Sequence, residues 1–414
     1  MTGIAPALAE ALAPIAPELP VRLVAWDGSA AGPDDAPLVE LRSPNALRRL
    51  LWHPGELGAA QAYVTGEADI HDDLDSTLTT LLAPSRAAAP TRVARLRVAA
   101  RMARLLPSLG IVGPPPPAPS SQAVIKGRLH SKRRDRASIH HHYDLSNEFY
   151  SLILDPSMAY SCGYHATPET SLEDAQRAKL DLICTKLGLE PGMTLLDIGC
   201  GWGSLSLHAA EHFGAKVTAI TIAAEQQRFI QNRIDVRGLA DRVTVELRDY
   251  RDAEGTYDAV SSIEMGEHVG EQNYATYAQV IHDRVRPGGR ALIQQMSRTG
   301  RYPGGGPFIE SFIAPDMHMR PVGETVAYLE RAGLEVRDVH AMREHYVHTV
   351  AGWLERFEAS VDLLTDLVGE EVVRVWRLYL VGGSAAFRDG RMGVDQILSV
   401  RPGAEHTLPA VRGW

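Results

Sequence analysis

A short glycine-rich stretch between an apolar segment and a helix-like segment constrains the fold of this chain more than any other feature. Residues 194–210 read TLLDIGCGWGSLSLHAA, which divides into a buried strand, the turn GCGWG and a helix. Glycines at three alternate positions let the backbone turn sharply and approach a ligand that a side chain would keep away. Strand, glycine turn and helix in this order predict a cofactor site at the edge of a parallel sheet.

The spacing of the glycines argues against the usual dinucleotide site. The turn follows G-x-G-x-G, whereas the dinucleotide fingerprint is G-x-G-x-x-G. A dehydrogenase usually carries an acid at the end of the next strand, but here that strand ends in Thr221 and Ile222, with Gln226 in the following helix. A third strand ends in Asp249 and Tyr250, which are placed to read and cover an adenine.

Two carboxylates three residues apart follow the strand-like segment YDAVSS. In SSIEMGEHVG, residues 261–270, the acids are Glu264 and Glu267, and His268 stands beside the second. Open α/β sheets bind ligands where parallel strands end, so the acids could bind a metal, serve as a base or form a solvated turn. No third ligand at suitable spacing accompanies them and the three cysteines form no CxxC pair, so no metal site is predicted.

The chain is predicted to divide into a small first domain and a larger second one. Short strand-like and helix-like segments alternate early in the chain, which predicts a small α+β domain over 1–110. A proline-rich and basic linker follows at 111–136. Helices and strands then alternate over 137–414, as in a doubly wound parallel sheet. Within this domain, a stretch around 298–320 mixes glycines with apolar residues and is predicted to be a lid.

Positive charge is concentrated in residues 91–136. This segment carries eleven Arg or Lys against a single acid, in a chain whose net charge is −9. Its first part repeats Val93, Leu96, Ala100 and Ala103 at helical spacing among arginines, which predicts a basic amphipathic helix ending near a proline at 107. An anionic membrane surface suits such a helix. Nucleic acid is the rival partner, although the segment lacks aromatic residues for base stacking, and a solvated helix face is the third alternative.

Several motifs beyond the glycine turn together resemble one enzyme family. HHHYDLSNEFYSLILDPSMAYSCGYH at 140–165 precedes the turn, and TIAAEQQ, RDYRD and EHVG follow it in order. This series is similar to the cyclopropane-fatty-acyl-phospholipid synthases and mycolic acid methyltransferases, from about residue 137 to the C-terminus. The N-terminal part looks like the smaller lipid-associated domain of longer actinobacterial relatives. The resemblance implies a class I S-adenosylmethionine-dependent methyltransferase fold, which is a Rossmann-like doubly wound α/β sheet.

The resemblance also implies the cofactor and its contacts. S-adenosylmethionine would lie against the glycine turn, the ends of the neighbouring strands and the AYSCGY segment that precedes the turn. The predicted cofactor-binding residues are Tyr160, Ser161, Asp197, Gly199, Gly201, Thr221, Ile222, Gln226, Asp249 and Tyr250.

In the family, an acyl-chain alkene takes the methyl group of the cofactor, and the carbocation formed must lose a proton. The predicted catalytic residues are Cys162, Glu264, Glu267, His268, Gln294 and Tyr346. In ring-forming relatives the base is a bound bicarbonate. The resemblance gives this ion the ligands Cys162, through its backbone, Glu267, Gln294, the backbone near Met296, and Tyr346.

Two positions depart from the ring-forming relatives. Those enzymes carry a small residue where this chain has Glu264 and a histidine where it has Gln294, and glutamine cannot relay a proton. EMGEHVG, IQQM and the longer N-terminus look more like the enzymes that begin 10-methyl, tuberculostearic-type fatty acids through a 10-methylene chain. Formation of a cyclopropane ring is the alternative. A small-molecule or RNA methyltransferase and a non-catalytic lipid-binding protein are weaker alternatives.

Partners and location follow from the same resemblance. The substrate is expected to be an unsaturated phospholipid in the membrane, and a separate flavin- or NADPH-dependent reductase is expected to act on the product. A homodimer is expected, and no nucleic acid partner. The chain shows no signal-like N-terminus, which predicts a cytoplasmic protein associated peripherally with the inner face of the cell membrane.

Overall fold

The protein forms two compact units in a computed structural model that describes residues 3–87, 91–123, 146–300 and 304–414. The first unit is Met1–Gln122 with Val368–Ala385, and the second is Ala123–Leu367 with Ala386–Trp414. A segment near the C-terminus therefore packs with the N-terminal unit, although the sequence places it within the second domain. The histidines at 140–142 and much of the predicted basic linker lie outside the described residues.

The first unit mixes helices with a small sheet. Its elements are α1 (Ile4–Leu12), β1 (Arg22–Ala25), β2 (Ala30–Ala31), β3 (Leu38–Leu41), α2 (Pro44–Trp52), α3 (Glu56–Val64), β4 (Ala68–Ile70), α4 (Leu74–Ala87) and α5 (Arg92–Ser108). The strands run in the order β2-β1-β3-β4, with β1 and β3 parallel and the other pairs antiparallel. Buried Leu8, Leu23, Leu47 and Ile111 contribute to its core. The α+β prediction for this part of the chain is confirmed.

The predicted basic helix is present as α5. Its N-terminus is capped by Thr91, whose hydroxyl accepts a hydrogen bond from the backbone N–H of Ala94 at 3.1 Å. The side of α5 that packs on the core carries Met102, Leu105 and Leu106. The apolar stripe predicted from the sequence lies elsewhere on the helix and is exposed.

The second unit alternates strands and helices over most of its length. Its elements are α6 (Asn147–Ile153), α7 (Leu172–Leu187), β5 (Thr194–Ile198), α8 (Ser204–His212), β6 (Lys216–Thr221), α9 (Ala224–Arg237), β7 (Val243–Leu247), β8 (Tyr257–Ile263), α10 (Glu271–Arg284), β9 (Val285–Ser297), α11 (Pro307–Phe312), α12 (Val322–Arg331), β10 (Glu335–Ala341), α13 (Arg343–Ala359), α14 (Val361–Val368), α15 (Glu370–Arg388) and β11 (Gly393–Val400). Of these, α15 continues from the first unit into the second. Short 3₁₀ turns follow β7 and β8, at Tyr250–Asp252 and Gly266–His268.

The seven-stranded sheet of the second unit has the order β10-β11-β9-β8-β5-β6-β7. Strands β9, β8, β5, β6 and β7 are parallel, and β11 is antiparallel to both of its neighbours. Buried apolar residues cover both faces, as expected for strands enclosed by helices. The predicted doubly wound α/β fold is confirmed.

The strand order reverses between β5 and β8, which lie side by side at the centre of the sheet. Ligands of such sheets bind outside the carboxyl ends of the strands at this switch point. The glycine turn follows β5, and the two predicted acids follow β8, so both predicted sites lie at this edge. Among the described residues, no helix combines the length and apolar character needed to span a bilayer.

Candidate functional site

The glycine turn is held tightly between two strands. Its first residue, Gly199, has φ +76°, a left-handed conformation that glycine adopts without a steric penalty. The backbone N–H groups of Gly199 and Cys200 both donate to the carbonyl of Ile220, at 3.0 and 3.1 Å. A Cβ at position 199 would stand 2.8 Å from Cγ of Met265. The turn therefore requires glycine both for its φ and for the space that Met265 occupies.

A cavity of about 890 Å³, measured to its open mouth, lies beside this turn. The predicted cofactor residues that line it are Gly199, Gly201, Thr221, Ile222, Gln226, Asp249 and Tyr250. Two of the predicted catalytic residues, Glu264 and His268, line the same cavity.

A second cavity contains the other three predicted cofactor residues, Tyr160, Ser161 and Asp197. Gly199, Gly201 and Glu264 line both cavities, so the two spaces adjoin at the glycine turn. All ten predicted cofactor residues therefore lie around one continuous region. The linings also contain residues that the sequence did not single out, among them Lys179, Trp202, Met265, Pro315 and Asp316.

Polar side chains at the strand ends are fixed by their neighbours. The carboxylate of Asp197 is buried and accepts hydrogen bonds from the hydroxyls of Ser206 at 2.6 Å and Ser261 at 2.9 Å. Burial raises the pKa of Asp197, and the two serine hydrogen bonds oppose this. The hydroxyl of Thr221 donates to the amide oxygen of Gln226 at 2.8 Å. The shape of the cavity wall is thus set by hydrogen bonds within the protein.

Asp249 and Tyr250, which are predicted to face an adenine, both contact Arg251. Nε and Nη2 of Arg251 each donate to the carboxylate of Asp249 at 2.7 Å, and the guanidinium stands 5.2 Å from the ring centre of Tyr250. Tyr250 itself packs edge-to-face on Tyr277 with ring centres 5.6 Å apart. The position of Tyr250 at the cavity is therefore held from two sides.

Glu264 has a backbone conformation that is unusual for a residue with a side chain. Its φ is +49°, and its backbone N–H donates to the carbonyl of Gln294 on the neighbouring strand at 2.6 Å. Residues other than glycine adopt this region rarely, and such strain is concentrated at functional sites. This conformation occurs at a position where the family resemblance implies a departure from the ring-forming enzymes.

The carboxylate of Glu264 accepts three hydrogen bonds from groups far apart in the sequence. Oε1 accepts from the backbone N–H of Cys162 at 2.8 Å and from Nε2 of Gln294 at 2.9 Å. Oε2 accepts from the phenol of Tyr346 at 2.6 Å. These three donors belong to the set that the family resemblance gives to a bound bicarbonate. The Glu264 side chain therefore places a carboxylate where the resemblance expects a carbonate-type anion.

The amide of Gln294 is oriented by a residue that the sequence did not indicate. Gln396 on β11 pairs with Gln294 on β9, and its Nε2 donates to the Gln294 amide oxygen at 2.9 Å. This leaves Nε2 of Gln294 to donate to Glu264 and, at 3.3 Å, to the carbonyl of Cys162. Gln396 acts on the acid through Gln294 and without touching it. A glutamine inside a buried strand carries no motif that would have marked it.

Glu267 is buried, and few groups around it would stabilise a negative charge on its carboxyl. Its Oε1 accepts one long hydrogen bond of 3.5 Å from the backbone N–H of Met296, and among the described residues its Oε2 has no partner. Burial, followed by the negative charge of Glu264, raises the pKa of Glu267 to about 8. Both effects favour the protonated form of Glu267.

The pKa of Glu264 is raised as well, but hydrogen bonds and a nearby lysine oppose the shift. Burial raises the pKa of Glu264, while the hydrogen bonds from Tyr346, Cys162 and Gln294 and the charge of Lys179 lower it. Lys179 is fully buried and donates from Nζ to the hydroxyl of Ser161 at 2.9 Å. Three donors and a nearby cation favour the ionised form of Glu264 over that of Glu267. The two acids thus differ in their hydrogen-bonded surroundings although they stand three residues apart.

Cys162 contributes to the site through its backbone N–H, which donates to Glu264. Its thiol is buried and points to the carbonyl of Gly163 at 3.3 Å, and burial raises its pKa well above the usual range. A thiol held neutral in this way is a poor nucleophile. Among the residues that the structure describes, no group of three His, Cys, Asp or Glu side chains is arranged to hold a metal ion.

Comparisons with known proteins agree on the kind of molecule. The family model of mycolic acid cyclopropane synthetase matches residues 130–397. A probable fatty acid methyltransferase of Mycobacterium tuberculosis is 37% identical over 95% of this chain and 94% of its own length. The tuberculostearic acid methyltransferase UfaA1 of the same organism is 34% identical over 94% of this chain and 89% of its own length. Among solved structures, mycolic acid cyclopropane synthase CmaA1 complexed with SAH and CTAB aligns with a TM-score of 0.61 and 30% identity, over 64% of this chain and 98% of that chain.

Proposed function

Because the chain belongs to the mycolic acid cyclopropane synthetase family, whose members include methyltransferases of fatty acids, we propose that it methylates the double bond of an unsaturated phospholipid acyl chain. The proposed product from an oleoyl chain is a 10-methylene branched chain. The observation that carries this proposal is the partly buried carboxylate of Glu264, which accepts hydrogen bonds from three donors beside the cofactor cavity.

The residues around the glycine turn fit S-adenosylmethionine. The tight turn at Gly199 opens the backbone to a ligand, Thr221 and Gln226 offer polar groups, and Ile222 and Tyr250 offer apolar walls for an adenine. When bound there, the cofactor supplies an electrophilic methyl group, and its transfer to the alkene leaves a carbocation on the acyl chain. The remaining task of the protein is to place the alkene, exclude water and remove one proton.

Glu264 is the residue proposed to remove that proton. Its carboxylate, ionised in this proposal, is partly buried, lines both cavities and is held in place by three hydrogen-bond donors. After a 1,2-hydride shift moves the positive charge to the methylated carbon, loss of a proton from the new methyl group to Glu264 leaves a C=CH2 group on the chain. A positioned base within reach of its proton contributes typically about 10²–10⁴ in rate.

A bound bicarbonate fits poorly with this arrangement. The ion would need the backbone of Cys162 and the side chains of Gln294 and Tyr346, and all three already donate to Glu264. A second anion beside an ionised buried carboxylate would also be strongly disfavoured. We therefore assign the base to the side chain of Glu264, with Glu267 as its protonated neighbour.

The methylene product implies a later reaction. Converting the C=CH2 group into a methyl branch requires a hydride and a proton. A reductase that uses a flavin or NADPH is the class of partner that would supply them, and we propose that it is a separate protein.

The test is an assay of the purified chain with methyl-labelled cofactor and vesicles of dioleoyl phosphatidylglycerol. Methylene and cyclopropane products have equal mass, so the extracted lipid is examined by proton NMR. In this spectrum the =CH2 protons and the cyclopropane ring protons are distinct. We expect methylene signals, and none with distearoyl lipid, which has no double bond. Ring signals would favour cyclopropane formation and remove the role proposed for Glu264. Absence of label in any lipid would contradict lipid methylation itself.

A further inference from the structure

The outward side of helix α5 carries an apolar stripe that is exposed within the part of the chain that the structure describes. Val93 is 57% exposed and Leu96 is 70% exposed, and Ala100 and Ala103 are exposed beside them. At 3.6 residues per turn these four positions fall within about 80° of one another around the helix. The side chains of α5 that pack on the core lie roughly opposite. The core of the first unit therefore does not require these four side chains to be apolar.

Arginines border this stripe on both sides. Arg97 and Arg104 follow one edge and Arg92 the other, and all three are exposed. The sequence contains no Asp or Glu anywhere from residue 91 to residue 123, so the positive charge is not balanced locally. Long arginine stems can lie along an apolar surface while their charged ends reach anionic groups. The face combines the two features that bind a helix to the surface of an anionic bilayer.

Further exposed apolar residues lie close to the end of the same helix. Trp52 is 49% exposed, and its indole N–H donates to the carbonyl of Gly113 at 3.0 Å, which holds it beside the chain that leaves α5. Val112, the residue before Gly113, is 65% exposed. Tryptophan is enriched at the interface between water and lipid, where an apolar ring with one polar group is favoured.

We propose that the outward face of α5, formed by Val93, Leu96, Ala100, Ala103 and the bordering arginines, docks the protein onto an anionic phospholipid bilayer. The proposal deepens the proposed function, since it rests on a substrate that lies in a membrane. The apolar stripe enters the headgroup region and the arginines pair with lipid phosphates. Nucleic acid would use the arginines but leave the exposed Val93 and Leu96 without a role.

Vesicle co-sedimentation of the full chain, without cofactor and without turnover, tests the proposal. Vesicles of phosphatidylcholine alone are compared with vesicles of equal parts phosphatidylcholine and phosphatidylglycerol. We expect binding only to the anionic vesicles, and a loss of binding as salt is raised, because added salt screens the charges. The apolar variant is Val93→Ser with Leu96→Ser. Its matched control is Val236→Ser, at a valine that is 79% exposed on α9 in the second unit.

The apolar variant is expected to lower the vesicle-bound fraction at least about tenfold, whereas Val236→Ser leaves it unchanged. The charge variant, Arg97→Gln with Arg104→Gln, is expected to weaken binding and its salt dependence, with exposed Arg331→Gln as control. Equal binding to neutral vesicles would overturn the proposal, and so would wild-type binding by the apolar variant. Binding of duplex DNA or RNA in place of vesicles would also overturn it. So would an apolar variant that changes from dimer to monomer but still binds vesicles.

Methyl transfer to detergent-dispersed dioleoyl lipid separates this proposal from the proposed function. The apolar variant should retain that activity, because the catalytic unit is unchanged. If the wild-type chain bound vesicles but methylated no lipid in either form, the proposed function would fail while the docking surface remained.

Discussion

The phenol of Tyr346 donates a 2.6 Å hydrogen bond to Oε2 of Glu264, although 82 positions separate the two residues in the chain. Tyr346 lies in the first turns of α13 and Glu264 follows strand β8, so the bond joins a helix to the edge of the sheet. Burial raises the pKa of Glu264, and this hydrogen bond is the largest of the effects that lower it. The net effect is a raised pKa, so the Tyr346 hydrogen bond limits a shift that burial causes.

Replacing Glu264 with glutamine should remove the base and keep the shape of the site. We expect turnover to fall by about 10²–10³, because the amide cannot accept the proton, while calorimetry still detects cofactor binding. Glu355→Gln, at an exposed position of α13, is the matched control and should behave like the wild type. Turnover within twofold of the wild type would exclude Glu264 as the base.

Replacing Tyr346 with phenylalanine should shift the pH dependence of activity. The hydrogen bond from Tyr346 lowers the pKa of Glu264, so its loss raises that pKa and a higher pH is needed to ionise the carboxyl. We expect the acidic limb of kcat/KM to move to higher pH, with the maximal rate reduced by about tenfold or less. The pH profile with detergent-dispersed lipid measures this. An unmoved acidic limb would show that Tyr346 does not tune the base.

Replacing Glu267 with glutamine should change stability in a pH-dependent way. The folded pKa of about 8 is above the ordinary value of 4.5, so the folded state binds more protons than the unfolded state between these values. Stability of the wild type therefore falls as pH rises through this window. The variant lacks this loss, and its Tm relative to the wild type should be higher at pH 9 than at pH 6. A constant difference in Tm would place the pKa of Glu267 in its ordinary range.

The same variant separates the roles of the two acids. A neutral amide resembles the protonated carboxyl of Glu267, so this substitution should cost much less turnover than Glu264→Gln. The opposite order would make Glu267 the base.

Replacing Glu264 with glycine should vacate the anion position. The backbone suits this change, because φ is +49° at this residue, and Cys162, Gln294 and Tyr346 are left without their acceptor. We expect low activity that added bicarbonate increases several-fold, with ring protons appearing in the product NMR. Chloride at the same ionic strength is the control. Rescue by both salts alike would show that the three donors do not select a carbonate-type anion.

Replacing Gly199 with alanine should weaken cofactor binding selectively. The new Cβ would meet Cγ of Met265 at 2.8 Å in a backbone that already disfavours alanine, so the turn must move. Gly238→Ala is the matched control, since its φ is +65° at the end of α9 and nothing lies within 4 Å of the added atom. Both variants should lose stability, but only Gly199→Ala should raise the cofactor Kd, by about tenfold or more. Equal Kd values would separate the turn from the cofactor site.

The sequence was sufficient for the fold and for the lining of the cofactor cavity because both depend on local patterns. Alternating strands and helices and the glycine turn are encoded in short segments, and parallel strands bring their carboxyl ends to one edge. Residues at those ends, such as Thr221 and Asp249, therefore meet at the cavity without any knowledge of packing.

The hydrogen bonds of the acid pair could not be predicted in the same way. They depend on the left-handed backbone at Glu264, which no local pattern announces, and on donors from α13, β9 and the loop before α7. Lys179 and Gln396 were missed for a related reason. A lysine in a helix and a glutamine in a strand are ordinary surface residues in a sequence, and only the packing shows that both are buried.

The left-handed backbone at Glu264 has a consequence for how this chemistry could arise. The fold already provides a conformation that glycine accepts without cost, so exchanging glycine and glutamate there requires no rearrangement of the surrounding chain. Each glutamate codon differs from a glycine codon at a single nucleotide. Under the proposed mechanism, a single point mutation therefore separates an enzyme that takes its base from dissolved carbonate from one that encodes its base.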